Sequence, residues 1–314
     1  MNLASKRIMV TGGSGFFGRY VVQKLHERGC QHVFVPRHAD YDLRHAEAIE
    51  QALNSEQPEI IIHMAAKVGG IQANRNWPGT FFYDNLMMGT QLMEAARQHE
   101  VEKFVTVGTI CAYPKEIPVP FQEAHLWDGC PEETNAAYAL AKKMLLVQGQ
   151  AYCQQYGFNA IYLLVANLYG PGDSVDLETS HVTPALIRKF LTAVATHTDE
   201  VILWGDGTPT REFLFVADGA AGVVMATEGY DKPEPINIGT GSAITIRDLA
   251  LMIAEEVGFN GRISWDTSRP NGQLRRQLDV IKAQKELGFT TPTDFREGLR
   301  QTIAWYRQRL LPIT

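Results

Sequence analysis

Residues Val10-Thr11-Gly12-Gly13-Ser14-Gly15-Phe16-Phe17-Gly18 follow an apolar run and precede an amphipathic one, and their reading decides the fold. Glycines at G-x-x-G-x-x-G spacing permit a tight turn and close approach of backbone to a pyrophosphate, which then sits on the positive end of the next helix. The context counts for more than the triplet. The motif lies between a predicted strand, Arg7–Thr11, and a predicted helix over 18–28, at the start of a β-α alternation. Further strands are expected at 32–36, 59–63, Lys103–Val107 and Ala160–Val165, with helices over 44–54, 80–99 and Ala136–Tyr156. Ile60-Ile61-Ile62 and Tyr162-Leu163-Leu164-Val165 read as strands covered on both faces, as parallel strands are. Gly29 and Gly157 stand where helix ends call for a left-handed residue. The fold class is therefore α/β, a Rossmann-like doubly wound parallel sheet.

After Asn167-Leu168-Tyr169-Gly170-Pro171-Gly172 turn residues become frequent and the alternation lapses. This places residues 1–170 in a nucleotide-binding domain, to which 213–241 returns, and 171–314 mainly in a smaller C-terminal substrate-binding lobe. Helices are expected there at 182–196, 245–257 and 295–309, with a short strand at 263–266.

Composition narrows the function. The 314 residues carry 29 Lys+Arg against 35 Asp+Glu, a net charge of −6, which argues against a nucleic-acid partner. With 45% hydrophobic and 20% charged residues, the chain has material for a large core. No apolar run is long enough for a membrane span, and the N-terminus enters a strand pattern without a signal-peptide segment, so a cytoplasmic protein off the membrane is expected. Cys30, Cys111, Cys130 and Cys153 form no CxxC pair, so neither a disulfide framework nor a metal site is indicated.

Val35-Pro36-Arg37-His38, at the end of the second strand, offers no acid for a ribose 2′-OH, whereas Arg37 suits a 2′-phosphate and hence NADP(H). Asp42-Leu43 would hydrogen-bond and pack against an adenine. The fourth strand ends in Val107-Gly108-Thr109-Ile110-Cys111-Ala112-Tyr113-Pro114, at the carboxyl edge where α/β sheets bind ligands. Tyr138 and Lys142, four apart, share one helical face, so the ammonium is expected to lower the phenol's pKa and make it an acid/base near neutral pH. Cys111 reads either as a reactive thiol or as a small packed residue. His181, ahead of a helix start marked by Pro184, reads as an acid/base or a capping residue. Trp204 is a stacking platform or a core residue, and Arg275-Arg276 an anion site or a solvated pair.

The glycine motif, Thr109 and Tyr138-x-x-x-Lys142 resemble the extended short-chain dehydrogenase/reductases. Longer stretches are similar to the GDP-L-fucose synthase family: His63-Met64-Ala65-Ala66-Lys67-Val68-Gly69-Gly70-Ile71, Cys111-Ala112-Tyr113-Pro114, Asn167-Leu168-Tyr169-Gly170-Pro171 and Ser180-His181-Val182-Thr183-Pro184-Ala185-Leu186-Ile187-Arg188. So are Trp204-Gly205-Asp206-Gly207-Thr208-Pro209-Thr210-Arg211-Glu212-Phe213-Leu214 and Asp266-Thr267-Ser268-Arg269-Pro270-Asn271-Gly272. The resemblance implies epimerisation of GDP-4-keto-6-deoxy-D-mannose at C3 and C5 and its reduction at C4 by NADPH, giving GDP-L-fucose. It implies Thr109, Tyr138 and Lys142 for hydride-transfer chemistry, with Cys111 and His181 as the epimerisation pair. Cofactor contacts are implied for Gly12, Gly15, Phe16, Phe17, Gly18, Ala65, Lys142 and His181, beside Arg37, Asp42 and Leu43. Substrate contacts are implied for Asn167, Lys189, Trp204, Arg211, Arg275 and Arg276. A homodimer through the Tyr138 helix and the helix before it is implied as well.

The chain departs from that pattern in two places. Thr109-Ile110 replaces the usual Ser-Ser, so one hydroxyl is lost, and Gly13-Ser14-Gly15-Phe16-Phe17 is closer to the generic extended family. The chemistry is coherent without the name: a 4-keto sugar has acidic C–H bonds at C3 and C5, and inverting them takes a base, an opposing acid and a donor for the enolate oxygen. The alternatives are a paralogue acting on another deoxysugar or heptose, an NAD-dependent 4-epimerase, which Arg37 opposes, and a non-catalytic NADP-binding protein, which the intact Thr109, Tyr138 and Lys142 oppose.

Overall fold

A computed structural model describes residues 1–174, 181–269 and 271–310. The first half contains β1 Arg7–Thr11, α1 Phe16–Glu27, β2 His32–Phe34, α2 Ala46–Glu56, β3 Ile60–His63, α3 Ile71–Asn76, α4 Pro78–Gln98, β4 Lys103–Val107, α5 Ala136–Tyr156 and β5 Ala160–Val165. There follow β6 Asn167–Tyr169, α6 Val182–Ala195, β7 Glu200–Trp204, β8 Thr210–Arg211, β9 Phe213–Phe215, α7 Val216–Gly229 and β10 Ile236–Ile238. The chain ends with β11 Ile244–Thr245, α8 Ile246–Val257, β12 Arg262–Asp266, α9 Ile281–Leu287 and α10 Phe295–Leu310.

The expected parallel sheet is present, with strand order β10-β5-β4-β3-β1-β2. The chain steps outward from β1 to β2 and then crosses back to β3. Between β1 and β3 the order reverses, and there the carboxyl edge opens into a crevice. Backbone packing at this point leaves no room for side chains. Gly12 has φ +71°, and a Cβ on it would lie 2.8 Å from the Ala65 nitrogen; a Cβ on Gly18 would lie 2.1 Å from the Gly12 carbonyl oxygen.

A buried polar row crosses the strand ends, with Thr11, His63, Thr106 and Tyr162 in register. Thr11 Oγ1 accepts the N–H groups of Met64 and Ala65, both at 3.2 Å, so its own hydrogen goes to His63 Nδ1 at 2.9 Å. That fixes the imidazole proton on Nε2. Burial keeps the ring neutral, pushing its pKa well below the ordinary value.

Boundaries differ from expectation where local chemistry intervenes. β2 stops at Phe34, two residues short, because Pro36 has no N–H for the ladder. α4 starts at Pro78, in the first turn, where a missing N–H costs nothing. Gly29 and Gly157 have the expected left-handed conformation, φ +82° and +67°.

Two apolar cores flank the crevice. The larger joins the parallel sheet (Ile8, Ile61, Val105, Leu163) to residues far along the chain, including Val223, Ile238, Leu278 and Phe289. Besides α7 and β10, the segment around α9 therefore packs with the first core. The smaller core unites α6, α8 and α10 through Ile187, Phe190, Leu249, Ile253, Leu299 and Tyr306. In α6, Ile187, Phe190 and Leu191 recur at helical spacing and face that core.

The contact between β1 and α1 generates a prediction. Gly18→Ala drives a methyl into backbone and should cost about 1–3 kcal/mol, whereas Gly79→Ala, with open space around it in α4, should be neutral or gain up to about 1 kcal/mol. Urea denaturation midpoints check both; equal midpoints for the two variants contradict the close approach.

Candidate active site

A cavity of about 1190 Å³ opens at the carboxyl edge of the sheet, bounded by the β1–α1 turn at one end and by the segment following β12 at the other. Gly12, Gly15, Phe16, Phe17, Gly18, Leu43 and Ala65 line the first end; Asn167, His181, Lys189, Trp204, Arg211 and Arg276 line the other. Thr109, Cys111, Tyr138 and Lys142 line it as well.

Thr109 caps the 3-10 turn Ile110–Ala112, its Oγ1 accepting the Cys111 N–H at 3.2 Å. Tyr138 and Lys142 come from the first two turns of α5. The expectation that Lys142 lowers the pKa of Tyr138 is corrected. Burial pushes the phenol up, an ionised Cys111 adds to that, and the Thr109 hydrogen bond opposes it. Lys142, 2% exposed, is itself pushed down to about 8 by burial. A phenol that keeps its proton at neutral pH is suited to giving it to a developing alkoxide.

Cys111 is half-buried, with Arg276 against it. Arg276 Nη1 donates to Cys111 Sγ at 3.1 Å, and its Nε donates to Gln273 Oε1 at 2.6 Å. Gln273 in turn donates to the Lys115 carbonyl at 2.9 Å. Arg211 stands nearby, its Nη1 on the Thr210 carbonyl at 2.8 Å; burial, with the Arg276 charge beside it, lowers its pKa to about 10. Ile110, in place of a second hydroxyl, is buried in the larger core.

His181 is the N-cap residue of α6, but its side chain makes no cap hydrogen bond. Its Nδ1 lies 3.7 Å from Asp173 Oδ2, whose carboxylate is buried in the cavity wall.

Trp204 is 61% exposed, which removes it from the core, and Lys189 and Arg269 stand 6.0 and 5.2 Å from its ring centroid. Lys189 donates to the Ile202 carbonyl at 3.1 Å, and Asn167 to that of Glu212 at 2.9 Å. Arg275 is exposed and does not line the cavity, so the arginine pair splits.

At the other end Asp42 is already engaged. Its carboxylate accepts the Arg44 N–H at 3.1 Å and the guanidinium at 2.9 and 2.6 Å, which holds it well below the usual carboxylate range. Arg37 is exposed and outside the lining, between Pro36 and His38, which belong to it. Ser180 and Pro270 of the quoted motifs lie outside the described residues.

A dinucleotide fits the first end on structural grounds. The glycine turn is a cradle that a Cβ would fill, and Gly15, the N-cap of α1, leaves its first-turn N–H groups without a side-chain cap. Sequence reading missed Asp173, Gln273 and Arg44. Each adjoins a stretch that was read (Gly170-Pro171-Gly172, Asn271-Gly272 and Asp42-Leu43), so adjacency was the available signal.

Residues 8–239 match the NAD dependent epimerase/dehydratase family. GDP-L-fucose synthase 1 of Arabidopsis thaliana is 40% identical over 306 residues, 98% of this chain and 94% of that protein. The NADP-bound GDP-L-fucose synthetase of Naegleria fowleri is 28% identical with a TM-score of 0.87, over 96% of this chain and 94% of that one. A GDP-6-OMe-4-keto-L-xylo-heptose reductase from C. jejuni has a TM-score of 0.90 at 27% identity, over 97% of this chain and 98% of that one. The family match runs from β1 through the glycine turn, Thr109, Cys111, Tyr138, Lys142 and His181 to the last strand of the parallel sheet, and the chain belongs to the NAD dependent epimerase/dehydratase family.

Proposed function

We propose that this chain is an NADPH-dependent enzyme that epimerises GDP-4-keto-6-deoxy-D-mannose at C3 and C5 and reduces it at C4, giving GDP-L-fucose. The observation that carries this is the presence in one cavity of Thr109, Tyr138 and Lys142 together with Cys111 and His181. A reductase alone needs only the first set. The 40% identity to a plant GDP-L-fucose synthase supports the substrate class.

In this reading, the Cys111 thiolate takes the proton from C3 or C5: an S–H bond forms and the C–H electron pair moves onto the C4 oxygen. His181, with Asp173 behind its ring, returns a proton to the opposite face. Thr109 and Tyr138 hydrogen-bond the C4 oxygen and stabilise the enolate. Bound NADPH supplies the hydride to C4. Tyr138 then gives its proton to the C4 oxygen, and the Lys142 cation stabilises the phenolate left behind. Arg211 and Arg276 supply cationic charge around the substrate, Lys189 binds its diphosphate, and Trp204 stacks on its base. Asn167 completes the substrate set; Arg275, which faces solvent outside the cavity, is left out of it.

Arg37 turns in from the rim onto the 2′-phosphate, while Gly12, Gly15, Phe16, Phe17, Gly18, Asp42, Leu43 and Ala65 hold the rest of the cofactor. Residues 1–170 with 213–241 form the cofactor domain, and 171–314 mainly the substrate lobe. Exposed Phe82 and Tyr83 on α4 and Leu140 and Val147 on α5 support a homodimer across these two helices. No helix among the described residues is long and apolar enough to cross a membrane.

Three outcomes are expected. Arg37→Ala should raise KM for NADPH about tenfold and leave NADH almost unchanged; equal kcat/KM for both cofactors in the wild type removes that assignment. The Lys142 ammonium is charged below its lowered pKa and neutral above it. Thus kcat/KM should fall as pH rises through about 8, and a Lys142→Met variant should be slow and lack that limb. Finally, in D₂O without NADPH the wild type should incorporate deuterium at C3 and C5, detected by mass spectrometry and NMR. Cys111→Ser should lose this exchange, whereas Tyr138→Phe, in which Thr109 still holds the C4 oxygen, should retain it at a reduced rate while kcat for reduction drops on the order of a hundredfold. NADPH oxidation without any exchange would support a heptose-type C4 reductase instead.

A further inference from the structure

The thiol of Cys111 is part of a closed hydrogen-bonded loop. Arg276 Nη1 reaches its sulfur at 3.1 Å, Gln273 Oε1 holds Arg276 Nε at 2.6 Å, and Gln273 Nε2 holds the carbonyl of Lys115, four residues beyond the cysteine, at 2.9 Å. The backbone closes the arrangement from behind, with Arg276 N–H on the Thr210 carbonyl at 3.2 Å. Arg276 is 8% exposed and Gln273 likewise 8%, so neither is a solvated chain resting against the site by chance. A buried guanidinium needs an anion or acceptors, and no carboxylate is paired with Arg276 by a salt bridge among the described residues.

We propose that Arg276 is the charge partner of Cys111, a positioning residue that pairs with the thiolate through a charge-assisted N–H···S⁻ bond and aims its lone pair into the cavity. The role given to the thiolate rests on the proposed function; the pairing itself does not. It moves Arg276 from the diphosphate, where the sequence pattern put it, to the epimerisation base, and leaves Lys189 and Arg211 as cations for the nucleotide. The groups facing Cys111 are consistent with this division. Arg211 adds positive charge from β8, Glu132 opposes it through its interaction with Arg211, and Tyr138 on α5 is the neutral acid whose proton affinity the thiolate raises. In the proton transfer the guanidinium keeps all its protons: sulfur gains one from C3 or C5, and the electron pair leaves to the C4 oxygen.

The test uses the resting protein and needs no substrate. Iodoacetamide alkylation of Cys111 is followed from pH 5 to 10 by mass spectrometry of its peptide, with Cys30, Cys130 and Cys153 as internal references. The wild-type midpoint should lie about one pH unit below that of Arg276→Met, about a tenfold difference in thiolate fraction below both midpoints. Arg276→Lys should recover most of the shift. Gln273→Leu, which keeps the charge but releases its anchor, should give an intermediate profile and guards against a folding defect of the methionine variant. Deuterium wash-in at C3 and C5 should fall about tenfold or more in Arg276→Met, through kcat and not KM. Unchanged alkylation midpoints in both Arg276→Met and Gln273→Leu, with a defect confined to KM for the GDP-sugar, would return Arg276 to the diphosphate. A shifted midpoint in a protein whose wild type exchanges no deuterium would uphold the pairing while overturning the proposed reaction.

Discussion

Glu212 is a fully buried carboxylate on which the geometry of the substrate end depends. It accepts backbone N–H groups from Thr240 at 2.5 Å, Gly241 at 3.0 Å and Leu278 at 2.6 Å. Burial alone would favour its neutral form and pushes its pKa up, while the converging N–H groups act in the opposite direction. Three segments distant in sequence are thereby tied to one point: β8 with Arg211, the loop after β10, and the stretch that carries Gln273 and Arg276. The anchor acts together with the backbone bonds between Thr210 and the segment from Leu274 to Arg276, which seat Arg211 and Arg276 near the cysteine that follows β4. Leu278, fixed by the same carboxylate, belongs to the larger core, so the two cationic side chains are referenced to the parallel sheet.

The two groups proposed for the reduction show a complementary use of burial. Tyr138 is a neutral acid, so desolvation strengthens its hold on its proton; Lys142 is a cationic acid, so the same desolvation weakens its hold. The sequence alone places an ammonium and a phenol four residues apart on one helical face, which implies a Coulomb attraction between the cation and a phenolate. In the folded chain, loss of water is the dominant influence on both groups, and the phenol is held as a donor. For a reduction, where the developing alkoxide must receive a proton, a protonated tyrosine is the useful form.

This contrast marks how far the sequence was legible. The parallel sheet could be read because its signals are local: apolar runs such as Ile60-Ile61-Ile62, a glycine turn after β1, and helical periodicity between strands. β4, α5 and β5 match their expected ranges for that reason. β10 and the β6–β9 pair are three-residue strands, too short for a periodic signal, and they exist because long-range pairing selects them. The residues on strand ends and helix starts that the motifs single out, such as Thr109, Tyr138 and Lys142, line one cavity. Partner residues are not singled out: Asp173 behind His181, Gln273 behind Arg276 and Arg44 on Asp42 are set by side-chain geometry that no spacing encodes. Arg275 and Arg276 show the limit most clearly. Adjacent and chemically identical, they alternate along an extended segment, so one faces solvent and the other the cysteine.

The two proposed half-reactions are coupled by the charge on one sulfur. An anionic Cys111 raises the proton affinity of Tyr138, so before C–H abstraction the phenol is at its least acidic and holds the C4 oxygen only by a hydrogen bond. When the sulfur takes a proton from carbon, that repulsion ends. Tyr138 becomes the stronger acid at the stage when negative charge has moved onto the C4 oxygen beside it. The guanidinium of Arg276 limits the field in the other direction, since a paired thiolate projects less charge toward Tyr138 than a bare one. Proximity of the two acid/base systems is therefore a constraint as well as an economy of space: placed farther apart, each would keep its own proton affinity, and the state of the epimerisation base would no longer reach the group that completes the reduction.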